Sequence, residues 1–130
     1  YEVCPGVSSF CGAAASLQAE YTLPGISQTV IITRMEGRTP VPEREKLRSL
    51  AAHQSTMVLF LSTGLLVQVR EELLAGGLAP DTPCAICYKA TWEDEKKVRG
   101  VLDELPELDP VQIEDFKAEA EEEIQLKLDV

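Results

Sequence analysis

Thr22-Leu-Pro-Gly-Ile-Ser-Gln-Thr-Val-Ile-Ile-Thr-Arg-Met-Glu-Gly-Arg-Thr-Pro-Val-Pro42 is the stretch on which the fold of this chain turns. Pro24-Gly25 is a turn. Thr29 to Thr33 is a run of β-branched residues, the composition of a strand buried on both faces. Met35 to Pro42 is a basic loop punctuated by glycine and proline. A core strand that delivers Arg34, Gly37 and Arg38 into a loop is one way an α/β protein offers a binding rim. An ordinary strand and loop is the plainer reading of the same residues.

Working outward, Tyr1 to Cys4 reads as the end of a strand and Pro5-Gly6 as a turn. Ser8 or Ser9 can cap a helix whose inner face is Phe10, Ala13, Ala14 and Leu17. On the other side, Pro42 suits the first position of a second helix. Leu47, Leu50 and Ala51 form its inner stripe, and Arg44, Glu45, Lys46 and Arg48 its wet face. Met57 to Leu61 is an apolar strand, and Ser62-Thr63-Gly64 leads into a third helix from Leu65 to Ala75. Leu66, Val69 and Leu73 are its buried stripe, and Gly76-Gly77 ends it. Pro80 and Pro83 precede a strand from Cys84 to Ala90. Trp92-Glu93-Asp94-Glu95 is a polar turn, and Lys97 to Leu102 returns as the antiparallel partner. Asp109, Pro110 and Gln112 are the cap, first position and capping box of a fourth helix with Ile113, Phe116 and Ala120 inside. Ile124, Leu126, Leu128 and Val130 alternate with polar residues, the pattern of a half-buried edge strand. The order β-α-β-α-β-α-β-β-α-β implies an α/β fold. We expect a mixed, mostly parallel sheet of about five to six strands with helices on both faces.

The 130 residues are 45% hydrophobic, enough for one α/β domain spanning 1–130. The net charge of −10 is unevenly spread. Residues 103–130 carry eleven acidic and two basic groups, net −9, so the rest is nearly neutral at −1. Such a balance argues against nucleic acid as a partner. No apolar run reaches the ~18 residues of a membrane span. No signal peptide opens the chain, and Tyr1-Glu2-Val3 reads as the interior of an element, so a piece of a longer protein is expected. Cys84-Ala-Ile-Cys87 has the spacing of a metal or redox pair, but it lies on a strand, where i and i+3 face opposite ways. Buried reduced thiols in a cytoplasmic protein are the expectation.

No Gly-rich phosphate loop, no Ser-His-Asp set and no metal cluster is present in the sequence, and no catalytic residue stands out. His53, the lone histidine, sits near a helix C-terminus, where a cation suits the dipole. Trp92 can stack on a flat ligand or cap the core. The acidic run Glu119 to Glu123 reads as a solvated face. In a doubly wound sheet, ligands bind beyond the carboxyl ends of strands. Those ends are Cys4-Pro5-Gly6, Arg34 to Arg38, Leu61-Ser62 and Ala90-Thr91. The last two offer small or apolar groups and free backbone, which suit a nucleoside. The arginines suit carboxylates.

Several of these segments are familiar together. Tyr1-Glu-Val-Cys-Pro-Gly-Val-Ser-Ser-Phe10, Ser27-Gln-Thr-Val-Ile-Ile-Thr-Arg34 and Glu36-Gly-Arg-Thr-Pro40 resemble the tetrapyrrole (corrin and porphyrin) methylases. Thr56-Met-Val-Leu-Phe-Leu-Ser62, Pro83 to Trp92 and Val98-Arg-Gly-Val-Leu102 continue the resemblance in order, to about residue 102. Within the family, the likeness is to the branch that methylates C11 of a corrin precursor in cobalamin biosynthesis. Two departures stand out: Gly100-Val101-Leu102 replaces the usual Gly-Thr-Leu, and the acidic 103–130 segment no longer follows the family. The resemblance implies a two-domain enzyme that holds S-adenosylmethionine (SAM) and a tetrapyrrole in the cleft between its domains. This chain would be the C-terminal domain, its partner the N-terminal methylase domain with the Gly-rich loop. Backbone around Leu61 and Ala90-Thr91 would hold the adenosine of SAM, with Pro5-Gly6 at the domain junction nearby. Arg34 and Arg38 would grip the acetate and propionate groups of the substrate. The isolated chain would be folded but inactive, and apolar surface turned toward the partner domain would favour a homodimer. Two other readings stand beside this one: a stand-alone interaction module that presents its acidic tail to a basic partner, and a methylase for another ring carbon.

Overall fold

The computed structural model describes residues 1–60 and 63–109, together with the backbone of 122–126. Five strands form one sheet: β1 (Val30–Arg34), β2 (Thr56–Phe60), β3 (Pro83–Tyr88), β4 (Lys96–Val101) and β5 (Glu122–Leu126). The spatial order is β1-β2-β5-β3-β4. Only β1 and β2 pair in parallel, Val30 opposite Thr56 through Arg34 opposite Phe60. The pairs β2–β5, β3–β5 and β3–β4 are antiparallel. The expectation of a mostly parallel sheet is thus corrected. β5 runs against both its neighbours, so β1, β2 and β3 still point the same way while few of them touch.

The final strand was expected at an edge; it lies in the middle instead, Met57 and Cys84 both standing opposite Leu126. Conversely, β1 was expected to be buried on both faces and is the edge, with Ile32 46% exposed. Residues 1–4 form no strand and are exposed. The four-residue tip of the expected last strand, 127–130, and the expected helix beginning at Pro110 lie outside the described residues.

Among the described residues, three helices flank the sheet: α1 (Ser9–Leu17), α2 (Leu47–Ala51) and α3 (Leu66–Ala75). The helix expected to start at Pro42 is split into a 3-10 turn at Glu43–Glu45 and the short α2. Lys46, extended at φ −63 and ψ 147, separates the two. A further 3-10 segment, Leu102–Leu108, follows β4.

Alternation along the strands divides the core in two. Met57, Leu59, Cys84 and Ile86 pack with Leu47 and Ala51 of α2, Leu66, Val69 and Leu73 of α3, and Leu102 and Leu105. On the opposite face, Ala85 and Cys87 pack with Ala13 and Leu17 of α1. Helices therefore cover both faces. Cys84 and Cys87 are buried on opposite faces, as the strand geometry requires, and none of the four cysteines is in a disulfide. Burial pushes the Cys84 thiol up to about 11. Among the described residues, no helix is long and apolar enough to cross a membrane.

Candidate functional site

Because β1, β2 and β3 run one way, their carboxyl ends share one margin of the sheet. Arg34, Phe60 and Tyr88 are the last residues of these strands. The start of α1 comes to the same margin. Between them lies an open cavity of ≈ 530 Å³. Val7, Ser8, Ser9 and Gly12 form the helix side; Phe60, Ala90, Thr91 and Trp92 form the strand side. None of these side chains is charged, and the volume is within the range of ordinary small-molecule sites.

Each wall has a local cause. α1 begins after Ser8, extended at φ −72 and ψ 150, whose carbonyl accepts from the amides of Cys11 at 3.0 Å and Gly12 at 3.4 Å. The small residues of α1 allow close approach to the turn after β3. A Cβ built on Gly12 would stand 3.5 Å from Thr91 Cγ2 and 3.8 Å from Ala90 Cβ. That turn is tightly wound: Lys89 and Thr91 have φ of 47 and 72. Two non-glycine residues in the left-handed region, one on each side of Ala90, hold backbone in a costly conformation of the kind that gathers at binding sites. The turn is tied internally. Trp92 N–H donates to the Lys89 carbonyl at 3.0 Å, and Glu95 N–H to the Trp92 carbonyl at 3.1 Å. Lys89 Nζ pairs with Asp94 Oδ2 at 2.8 Å and stands 5.8 Å from the centre of the Trp92 ring. Trp92 remains 68% exposed at the mouth of the cavity, so it does not cap the core.

Of the residues singled out from the sequence, Ala90 and Thr91 line the cavity. Leu61 lies outside the described residues, directly after Phe60. Pro5 and Gly6 are exposed, and neither forms its wall; Val7 does. Arg34 stands opposite Phe60 in the β1–β2 register, on the same face of the sheet. It is exposed, and its Nη1 donates to the Met35 carbonyl at 3.4 Å. Arg38 is exposed in the loop after β1, away from the cavity wall. Neither arginine forms an ion pair with another described residue. His53 is exposed after α2 and lines neither this cavity nor the one described next.

The sequence reading missed Gly12 and Phe60. A glycine inside an alanine-rich helix was the available signal, since it costs ~1 kcal/mol relative to alanine and usually marks a close approach.

A second cavity of ≈ 200 Å³ lies among Met35, Glu36, Glu43, Lys46, Leu47, Arg48 and Glu72. Four of its five charged side chains pair with each other, and the fifth, Glu36, accepts from the Val41 amide at 3.2 Å. Lys46 pairs with Glu43 at 2.8 Å, and Arg48 grips Glu72 with two nitrogens at 2.9 and 2.5 Å. Arg48 accordingly holds the Glu72 carboxyl below the usual carboxylate range. Among the described residues, no three His, Cys, Asp or Glu side chains gather as a metal site.

The sequence and fold were compared with known proteins. Residues 1–106 match the family model described as Tetrapyrrole (Corrin/Porphyrin) Methylases. The chain is 58% identical over 106 residues to the cobalt-precorrin-4 C(11)-methyltransferase of Methanocaldococcus jannaschii, covering 82% of this chain and 41% of that protein. It is 53% identical over 104 residues to the protein of the same name from Priestia megaterium, covering 80% of this chain and 40% of that one. The X-ray structure of a cobalamin biosynthetic enzyme, cobalt precorrin-4 methyltransferase, superposes with a TM-score of 0.87 at 45% identity. That superposition covers 99% of this chain and 53% of the other. The chain therefore spans about two-fifths of the curated relatives' length and about half of the solved one. On the match over 1–106, the chain belongs to the tetrapyrrole (corrin/porphyrin) methylase family.

Proposed function

We propose that this chain is the C-terminal half of a SAM-dependent methyltransferase that methylates C11 of precorrin-4 or cobalt-precorrin-4 in cobalamin biosynthesis. The observation that carries the proposal is the 58% identity over 106 residues to a cobalt-precorrin-4 C(11)-methyltransferase. The coverage of 41% of that relative fits a half whose partner is an N-terminal methylase domain.

The residues present fit the adenosine part of SAM. The wall of the cavity is uncharged, it combines small apolar groups with backbone, and Trp92 offers an exposed aromatic face. Ala90, Thr91 and Phe60 would hold the nucleoside, with Leu61 continuing the strand side and Pro5-Gly6 leading in beside Val7. Bound SAM would supply an electrophilic methyl group on a sulfonium. The chain's own part is then binding, alignment and exclusion of water, which accounts for a site without an acid–base pair. Arg34 and Arg38 would meet the acetate and propionate carboxylates of the macrocycle. Arg34 shares the sheet face of Phe60, which puts cationic charge one strand away from the neutral cavity.

The test is made on the two-domain protein, with methyl-labelled SAM and precorrin-4 in its metal-free and cobalt forms. The expected product carries label at C11; label at another ring carbon, or none, refutes the proposal. In the same assay Arg38→Ala is expected to weaken tetrapyrrole binding at low salt by about tenfold, the value of one charge-assisted hydrogen-bonded contact. Unchanged tetrapyrrole affinity would remove Arg38 from the substrate site.

A further inference from the structure

The two walls of the cavity belong to segments far apart in sequence, and one side chain joins them. Glu95 Oε1 accepts a hydrogen bond from the backbone N–H of Thr91 at 2.8 Å. The same oxygen accepts one from the Ser16 hydroxyl, on α1, across 79 positions of sequence. Thr91 is one of the two left-handed residues that shape the strand-side lip, and Ser16 lies in the helix that forms the opposite lip. We propose that Glu95 is a positioning residue for the cofactor seat: it locks the Lys89–Glu95 turn onto α1 and thereby sets the width of the cavity between Gly12 and Thr91. The inference rests on the reading of this cavity as the seat of the SAM nucleoside.

Three features of the surroundings make the link more than a surface contact. A backbone held at a φ of 72 needs outside interactions to keep it there, and the Thr91 amide has one in the Glu95 carboxylate. Hydrogen bonds to an ionised acceptor are about twice as strong as neutral ones. The acceptor is ionised at neutral pH, since the bonds from Ser16 and Thr91 hold the Glu95 carboxyl below its usual range. The C-terminal end of α1 is tied to β4 as well: Lys97 Nζ donates to the Ser16 carbonyl at 2.7 Å and Arg99 Nη2 to the Leu17 carbonyl. These two β4 cations satisfy carbonyls at the helix C-terminus and suit its dipole. Glu95 is left as the side chain that couples helix and turn. A Cβ on Gly12 would lie in van der Waals range of Thr91, so the two lips are little more than a methyl group apart and a small shift of the turn changes the width of the cavity directly.

The experiment measures binding of S-adenosylhomocysteine, the demethylated product of SAM, to the two-domain protein by calorimetry. Glu95→Ala is expected to weaken binding about tenfold, in line with the cost of loosening the support of a binding residue. Glu95→Gln keeps a carbonyl acceptor, neutral and so about half as strong, and is expected to recover affinity to within about threefold. Ser16→Ala, which frees α1 but leaves the Thr91 bond, is expected to fall between them. Arg99→Ala, which removes a bond to the Leu17 carbonyl and touches neither Glu95 nor Ser16, is the control for a merely structural effect: it is expected to lower the melting temperature without changing the affinity. In steady state, Glu95→Ala should raise KM for SAM and leave KM for the tetrapyrrole unchanged. In the 130-residue chain, amide exchange at Thr91 should accelerate in Glu95→Ala and not in Arg99→Ala. If the unsubstituted protein binds no S-adenosylhomocysteine, the reading of the cavity and this inference fail together. If it binds and Glu95→Ala binds equally well, or if Glu95→Gln is as weak as Glu95→Ala, the inference alone is overturned.

Discussion

Alanine at two glycines should have opposite effects on stability. Gly76 follows α3 with φ −76 and ψ −7, a conformation that alanine adopts freely. The obstacle is α2. A Cβ on Gly76 would lie 2.5 Å from Ala51 Cβ, 2.5 Å from the Arg48 carbonyl oxygen and 3.0 Å from Arg48 Cα. Carbon pairs rest at about 3.5–4.0 Å, so the end of α3 must withdraw from α2 by about 1 Å. Neither obstacle is the tip of a flexible side chain, and Ala51 is fully buried. Overpacking of this kind costs about 1–3 kcal/mol. The reduced freedom of the unfolded chain returns about 0.5–1 kcal/mol. The clash is close to the severe end, so Gly76→Ala should destabilise by about 2 kcal/mol. Gly12, inside α1, would place its new methyl 3.5 Å from Thr91 Cγ2, an ordinary contact. Helix propensity then dominates, and Gly12→Ala should stabilise by about 0.5–1 kcal/mol. Urea denaturation followed by circular dichroism reads both effects as shifts of midpoint at constant slope. A Gly76→Ala midpoint within about 0.5 kcal/mol of the unsubstituted chain would refute the packing argument, as would Gly12→Ala proving the more damaging of the two.

The thiols should divide by burial: Cys4 and Cys11 are exposed and should label within minutes with an aromatic disulfide reagent at pH 8, whereas Cys84 and Cys87 are buried and should label only on unfolding. Rapid labelling of all four would contradict the two-faced burial of β3. Acid should also weaken one named contact. The bond from Arg48 holds the folded-state carboxyl of Glu72 below the usual carboxylate range, so the stabilisation from that bond is fully present above the ordinary carboxylate value. It is lost as pH falls through the folded value. The pair is partly exposed, so solvent screens it and its contribution is small. Urea midpoints measured from pH 6 to pH 3 should therefore fall less steeply in Arg48→Ala than in the unsubstituted chain; parallel curves would assign the acid effect elsewhere.

Much of the architecture follows from local pattern. The apolar runs at Thr56–Phe60 and Pro83–Tyr88 are strands with fully buried centres, because a strand covered on both faces needs no polar positions. The return of Lys96–Val101 as the antiparallel partner was legible from a short polar turn between two strand-forming segments. The opposite burial of Cys84 and Cys87 needed only the two-residue period of a strand. Ala90 and Thr91, which line the cavity, were legible because they follow the end of such a strand.

What the sequence could not carry is the choice of neighbours. The Val-Ile-Ile core of the Thr22–Pro42 stretch has the composition of a central strand, yet β1 is the edge and Ile32 is half exposed. The last strand has the alternation of an edge, yet it enters between β2 and β3. Side-chain period records which faces are dry. The place of a strand in a sheet is set by backbone hydrogen bonds to distant segments, and those bonds are the same for every residue but proline. The same limit hid the bond from Glu95 to Ser16 and the contact of Gly76 with α2, each made between segments that chain order keeps apart. The sequence by itself determined, in outline, β1 to β4, the helices α1 and α3, and the ends of β2 and β3 beside which the cavity lies; the strand it suggested at 1–4 and the unbroken helix after Pro42 do not form. Only the tertiary structure decided that α1 closes one of those ends into a cavity, because that requires two surfaces to meet in space.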